Sequence, residues 1–170
     1  MNRIVARWNL LPADEAAKEI LSCCGSRAWA QRMASSRPFE DVATLLTTSD
    51  RIWRELCVAD WSEAFQSHPR IGERGKPAGA TAQSAAWSAQ EQRGVADAGD
   101  AVAIALAEGN QEYERRFGHI FMVCATGKSA REILQILDRR LRNDDETELH
   151  AAAEELRKIT ELRLKKWLSI

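Results

Sequence analysis

Histidine is scarce in this chain: His68, His119 and His150 are the three among 170 residues. No H-x-x-x-H or H-E-x-x-H spacing pairs any two of them on one helix, so a zinc-hydrolase helix is excluded and no metal site is called for. The four cysteines, Cys23, Cys24, Cys57 and Cys124, form no C-x-x-C, which argues against a zinc ribbon or a thioredoxin-like centre and leaves reduced, mostly packed thiols. Charge of one sign is not in excess, with 24 lysines and arginines against 25 acids and a net charge of −1. No face is therefore built for nucleic acid or an anionic membrane. Nowhere does an apolar run approach the ~20 residues that cross a bilayer, and Met1 to Arg7 lack the apolar core of a secretory signal. The expectation is a cytoplasmic protein whose partners are a small molecule and copies of itself. Internal repeats and low-complexity tracts are lacking. A single tyrosine accompanies six tryptophans, which puts the aromatic area into large rings, several at phases suited to packing between helices.

Alternating strand patterns are missing too, and hydrophobic spacing is helical almost throughout. The reading is an all-α fold: one domain over 1–170, a helical bundle of about eight helices. The first helix should follow Asn9 or Pro12 and run to Cys23-Cys24-Gly25. Ser26 caps a second, carrying Trp29 and Met33, which Arg37-Pro38 must end. A third starts near Glu40 and carries Leu45, Leu46, Ile52, Trp53 and Leu56, with Thr48-Ser49 as the place where it would break. Asp60 caps a short helix leading through Trp61 and Phe65 to His68. Gly72 to Gly79 reads as a mobile surface loop. Ser88-Ala89-Gln90-Glu91 has capping-box spacing and predicts a helix after it. Another helix spans Asp100 to Phe117 and carries Val102, Leu106, Asn110 and Tyr113. Ile120 to Ala125 reads as a short extended segment crossing the core. Helices near Ser129–Arg142 and Glu146–Leu168 close the chain.

Among candidate sites, Gly127-Lys128-Ser129 matches the end of a phosphate-binding loop. That loop also needs a glycine five residues before Gly127, where Met122 stands, so Ser129 is better read as a helix cap. His68 is followed by Pro69 and, four residues on, by Gly72. Proline restrains the backbone at the imidazole, and histidine can exchange a proton near neutral pH. A helix-ending turn with an incidental surface histidine fits composition and spacing equally well. Glu91 with Gln92 serves either as the far half of the Ser88 cap or as part of a helix N-terminus that holds a polar ligand. In the last helix Leu149, Ala153, Leu156, Ile159, Thr160 and Trp167 share a stripe, and Arg163 lies inside it. Its guanidinium either snorkels to water or waits in a cleft for a carboxylate. Arg140, at the edge of an apolar face, is a weaker candidate for the same job. His150 is expected at the surface.

In order and spacing, "CCGS" at 23–26, "RPF" at 37–39, "HPRIG" at 68–72, "SAQEQ" at 88–92, "NQEYERRFGHIFMVCATGKS" at 110–129 and "RLRND" through "KITELRL" resemble the 2-oxo-4-hydroxy-4-carboxy-5-ureidoimidazoline (OHCU) decarboxylases of urate breakdown. The resemblance implies an all-helical homodimer and a carboxy-lyase that forms (S)-allantoin without a cofactor or metal. It places His68 and Glu91 as catalytic residues. It places Pro69, Ser88, Ala89, Gln90, Gln92, Phe121, Met122, Val123, Cys124, Ala125 and Arg163 as substrate-binding, the 121–125 stretch through its backbone. Decarboxylation needs a place for the electron pair left behind, and the substrate the resemblance implies supplies its own in a C=N bond. Two competing readings are a helical adaptor, which predicts an exposed Trp or Leu patch without a deep polar pocket, and a metal-dependent hydrolase.

Overall fold

The computed structural model describes residues 2–73, 77–96 and 98–169. Residues 74–76 of the expected mobile loop lie outside the described residues. Ten helices and no strand are found among the described residues, which confirms the all-α reading and raises the helix count. The described residues group into two compact units, one of 1–64 with 157–170 and one of 65–156.

The first unit contains α1 (Arg3–Asn9), α2 (Ala13–Cys24), α3 (Arg27–Ser35) and α4 (Val42–Arg54). The sequence reading missed α1. Its start is set by Asn2, whose Oδ1 accepts the Ile4 N–H at 2.8 Å. The expected first helix is α2, which Gly25 stops in a left-handed conformation at φ 87°. Ser26 caps α3 as expected, accepting the Trp29 N–H. Helix α4 runs without a break through Thr48 and Ser49, because Leu45, Ser49, Ile52 and Trp53 form one buried stripe that overrides weak local propensity. Trp8 anchors this core. It stacks on Phe39 at 6.0 Å, meets Trp167 edge-on at 5.5 Å, and donates its indole N–H to the Ala16 carbonyl.

Helices α5 (Val58–Gln66) and α10 (Asp145–Trp167) each contribute residues to both units. The second unit further contains α6 (Ala82–Glu91), α7 (Arg93–Ala96), α8 (Asp100–Phe117) and α9 (Ala130–Arg140). Ser88 does not begin a helix. Thr81 does, accepting the Ser84 N–H, and Ser88 lies buried in the interior of α6, with Glu91 at its end. A run rich in alanine carries the helix straight through the Ser-x-x-Glu spacing, and an N-cap needs an extended backbone that a helix already under way cannot supply. Reciprocal capping is found instead at Ser129 and Glu132, at the start of α9. Ile71, Leu106, Tyr113, Phe121, Val123, Ile133 and Leu137 make the core of this unit.

Candidate active site

Two residues after α5 the chain turns at His68, whose backbone N–H closes on the Phe65 carbonyl at 3.1 Å. Pro69 follows, and Gly72 takes φ 84°, a region other residues rarely enter. Side chains from other helices then fix the turn. Gln92 accepts the Gly72 N–H at 3.0 Å and donates to the Arg70 carbonyl at 3.5 Å. Asn110 donates to the Ile71 carbonyl at 2.9 Å. The Arg70 guanidinium pairs with both oxygens of Glu114 and reaches Glu73. His68 itself is only 7% exposed, with Nδ1 lying 3.2 Å from the Ser67 hydroxyl. An incidental surface histidine is thereby set aside.

A cavity of about 840 Å³ opens beside this turn. Pro69, Ser88, Ala89 and Gln92 line it together with Asn110, and His68, Glu91 and 121–125 are not in its lining. Of the expected binding residues around α6, Ser88 is buried, Ala89 is exposed at the cavity, and Gln90 is exposed and outside its lining. Gln92 spends its amide on the turn. Asn110 is 5% exposed, and its Oδ1 accepts no hydrogen bond among the described residues.

The segment Phe121 to Ala125 is buried and has neither helix nor strand partners for its backbone. Side chains supply them. Arg140 donates to the Met122 carbonyl, Glu155 accepts the Cys124 N–H at 2.8 Å, and Lys128 donates to the Cys124 carbonyl at 2.7 Å. The N–H and carbonyl of Val123 and the N–H of Ala125 have no hydrogen bond among the described residues. Burial raises the Cys124 thiol above its ordinary range, opposed by Lys128 and reinforced by the carboxylates of Glu155 and Glu91.

Arg163 belongs to the first unit and is 1% exposed. It does not snorkel to water; Nη1 donates to the Ser22 carbonyl at 3.3 Å. Burial pushes the thiol of Cys24 up to about 12 and that of Cys23 up as well, with the Arg163 charge opposing both shifts. Arg140, read as a weak candidate, is buried and ion-paired with Glu148, which is 0% exposed. His150 is exposed as expected.

The OHCU decarboxylase family model matches residues 9–165. This chain belongs to the OHCU decarboxylase family. The uric acid degradation bifunctional protein TTL of Arabidopsis thaliana is 38% identical over 148 residues, which cover 86% of this chain and 45% of that protein. The 2-oxo-4-hydroxy-4-carboxy-5-ureidoimidazoline decarboxylase of Amia calva is 35% identical over 131 residues, 76% of this chain and 74% of its own length. A crystal structure of OHCU decarboxylase in the presence of (S)-allantoin is 36% identical with a TM-score of 0.77, covering 89% of this chain and 98% of that one. The sequence reading overlooked Asn110 as a holder of the His68 turn, and Lys128, Glu155 and, through Arg140, Glu148 as holders of the 121–125 segment. Asn110 was the detectable one, being an amide on the apolar stripe of α8, where a polar group needs a partner. Glu155 accepts a backbone N–H 31 residues away, Glu148 acts through Arg140, and the Lys128 bond to the Cys124 carbonyl follows no helical or strand pattern, so spacing reveals none of them.

Proposed function

We propose that this member of the family removes carbon dioxide from OHCU and delivers (S)-allantoin in urate degradation, with His68 as the proton-transferring residue. The observation that carries the assignment is the restrained turn: a buried imidazole followed by a backbone that Gln92 and Asn110 grip on three successive residues. A general acid must be held in one place to protonate one face of an intermediate. Loss of carbon dioxide from the carbon bonded to the substrate's imine sends the electron pair into the C=N bond, giving an enol-like species. A proton from His68 then fixes the configuration. Glu91, in the same unit, assists by setting the charge and orientation of the imidazole.

The binding surface falls to Pro69 and Ser88 at the cavity and to the open backbone groups of Val123 and Ala125. In order along the chain these last offer N–H, C=O and N–H, which suits a ligand bearing both ureido N–H groups and carbonyls. Arg163 is assigned to the substrate on the family resemblance. A homodimer and a cytoplasmic location belong to the same proposal. The adaptor reading is less well supported, since the exposed large hydrophobic residues among those described are Leu10, Val58 and Ile104, with no tryptophan among them.

The test is to generate OHCU enzymatically from urate and follow circular dichroism. The family reading expects rapid, stereospecific appearance of (S)-allantoin with this protein added. Formation of racemic allantoin at the uncatalysed rate would reject it.

A further inference from the structure

Peptide groups are planar and trans, so the carbonyl of one residue and the N–H of the next point in opposite directions from one rigid unit. The one cis bond among the described residues, Arg37-Pro38, lies elsewhere. Around Val123 this rigidity has a consequence. Arg140 grips the Met122 carbonyl, whose peptide group ends in the Val123 N–H. Glu155 grips the Cys124 N–H, whose peptide group begins with the Val123 carbonyl. Lys128 grips the Cys124 carbonyl, whose peptide group ends in the Ala125 N–H. Each charged side chain holds one end of a peptide plane whose other end is open among the described residues.

We propose that Arg140, Glu155 and Lys128 are positioning residues that aim the Val123 and Ala125 backbone groups at the substrate. This rests on the reading of 121–125 as a binding segment. Charge-assisted bonds suit the task because they are shorter and stronger than neutral ones.

The strongest hold is at Arg140. Its Nε donates to Glu148 Oε1 at 2.8 Å, Nη2 donates to the same oxygen at 2.5 Å, and its guanidinium lies 4.9 Å from the centre of the Phe121 ring. Glu148 is itself fixed by the Tyr113 hydroxyl and by the Asn143 amide at 2.8 Å. A buried ion pair is seldom retained for stability, since apolar side chains of similar size often serve as well. What an apolar replacement cannot supply is a rigid fork of donors aimed at a peptide carbonyl.

The experiment has two arms. In the wild type, ¹⁵N amide signals of Val123 and Ala125 are followed during titration with (S)-allantoin, and both are expected to shift. Their failure to shift would overturn the segment's binding role, and this inference with it. In the second arm kinetic constants are measured for Lys128→Met and Glu155→Ala, which sit at half-buried positions, and for Arg140→Lys. Misaiming one hydrogen bond is expected to raise KM about tenfold, with kcat changed much less. The melting temperatures of the first two variants should stay close to that of the wild type. Responding wild-type amides together with unchanged KM in folded Lys128→Met and Glu155→Ala would overturn the positioning role while leaving the binding role intact.

Discussion

His68 gains its constraint from the residues around it rather than from its own ring. Pro69 limits the backbone, Gly72 allows the chain to turn, and Gln92 and Asn110 tie the turn to α6 and α8. The sequence displayed the first two parts of this device and hid the third, because amide clamps join residues 20 and 39 positions apart. Arg163 shows the opposite case. A charged residue on an apolar stripe is visible in the sequence, and the structure buries it as that phase demands. Glu148 shares the same helix and is equally buried, yet only its pairing with Arg140 explains why. Burial also separates the cysteines. Cys57 is exposed, whereas Cys23, Cys24 and Cys124 are buried, with thiols raised by desolvation. A maleimide or disulfide reagent at neutral pH should therefore label one thiol per native chain, and the other three only after denaturation. Rapid native labelling of Cys23 or Cys24 would show that the core of the first unit opens readily.

Helix boundaries were legible wherever a strong terminator coincides with the end of a hydrophobic stripe. Helix α8, expected over roughly Asp100 to Phe117, ends at Phe117 because Gly118 forms a left-handed cap. Helix α6 was misread because Ser-x-x-Glu occurs in the interior of a helix as readily as at its start. Three true N-termini carry acids whose carboxyl groups lie below their ordinary range, chiefly through a backbone N–H bond: Asp41 to Thr44, Glu132 to Ser129 and Asp144 to Thr147. A carboxylate depressed in the folded state stabilises the fold above its ordinary pKa, and that contribution is lost as pH falls through the folded value. Melting temperature should thus be flat near neutrality and fall as pH drops below the usual carboxylate range. Asp144→Asn keeps a capping oxygen but cannot titrate. It is expected to weaken the acid-induced fall, and an unaltered profile would mean that these caps do not govern acid stability.

For the molecule as a whole, the all-helical class and the family were both legible, the first from period and the second from the order and spacing of motifs. The family model and a solved family member with a TM-score of 0.77 confirm them. The cavity was not legible, since its wall gathers residues from the His68 turn, α6, α7 and α8. Nor was the arrangement at 121–125, where the charges of Arg140, Glu155 and nearby Lys128 replace the strand partners that a segment of this kind ordinarily finds. Both belong to the second unit, as do His68 and Glu91, so the proposed proton chemistry and its supports are drawn from 65–156. The account stands on His68 as the group that protonates one face of the decarboxylated intermediate. The most direct measurement is circular dichroism of the product formed from freshly generated OHCU by folded His68→Asn. Loss of catalysed (S)-allantoin formation by about 100-fold or more is the predicted result, in line with the removal of a general acid. Stereospecific (S)-allantoin at the wild-type rate would contradict it.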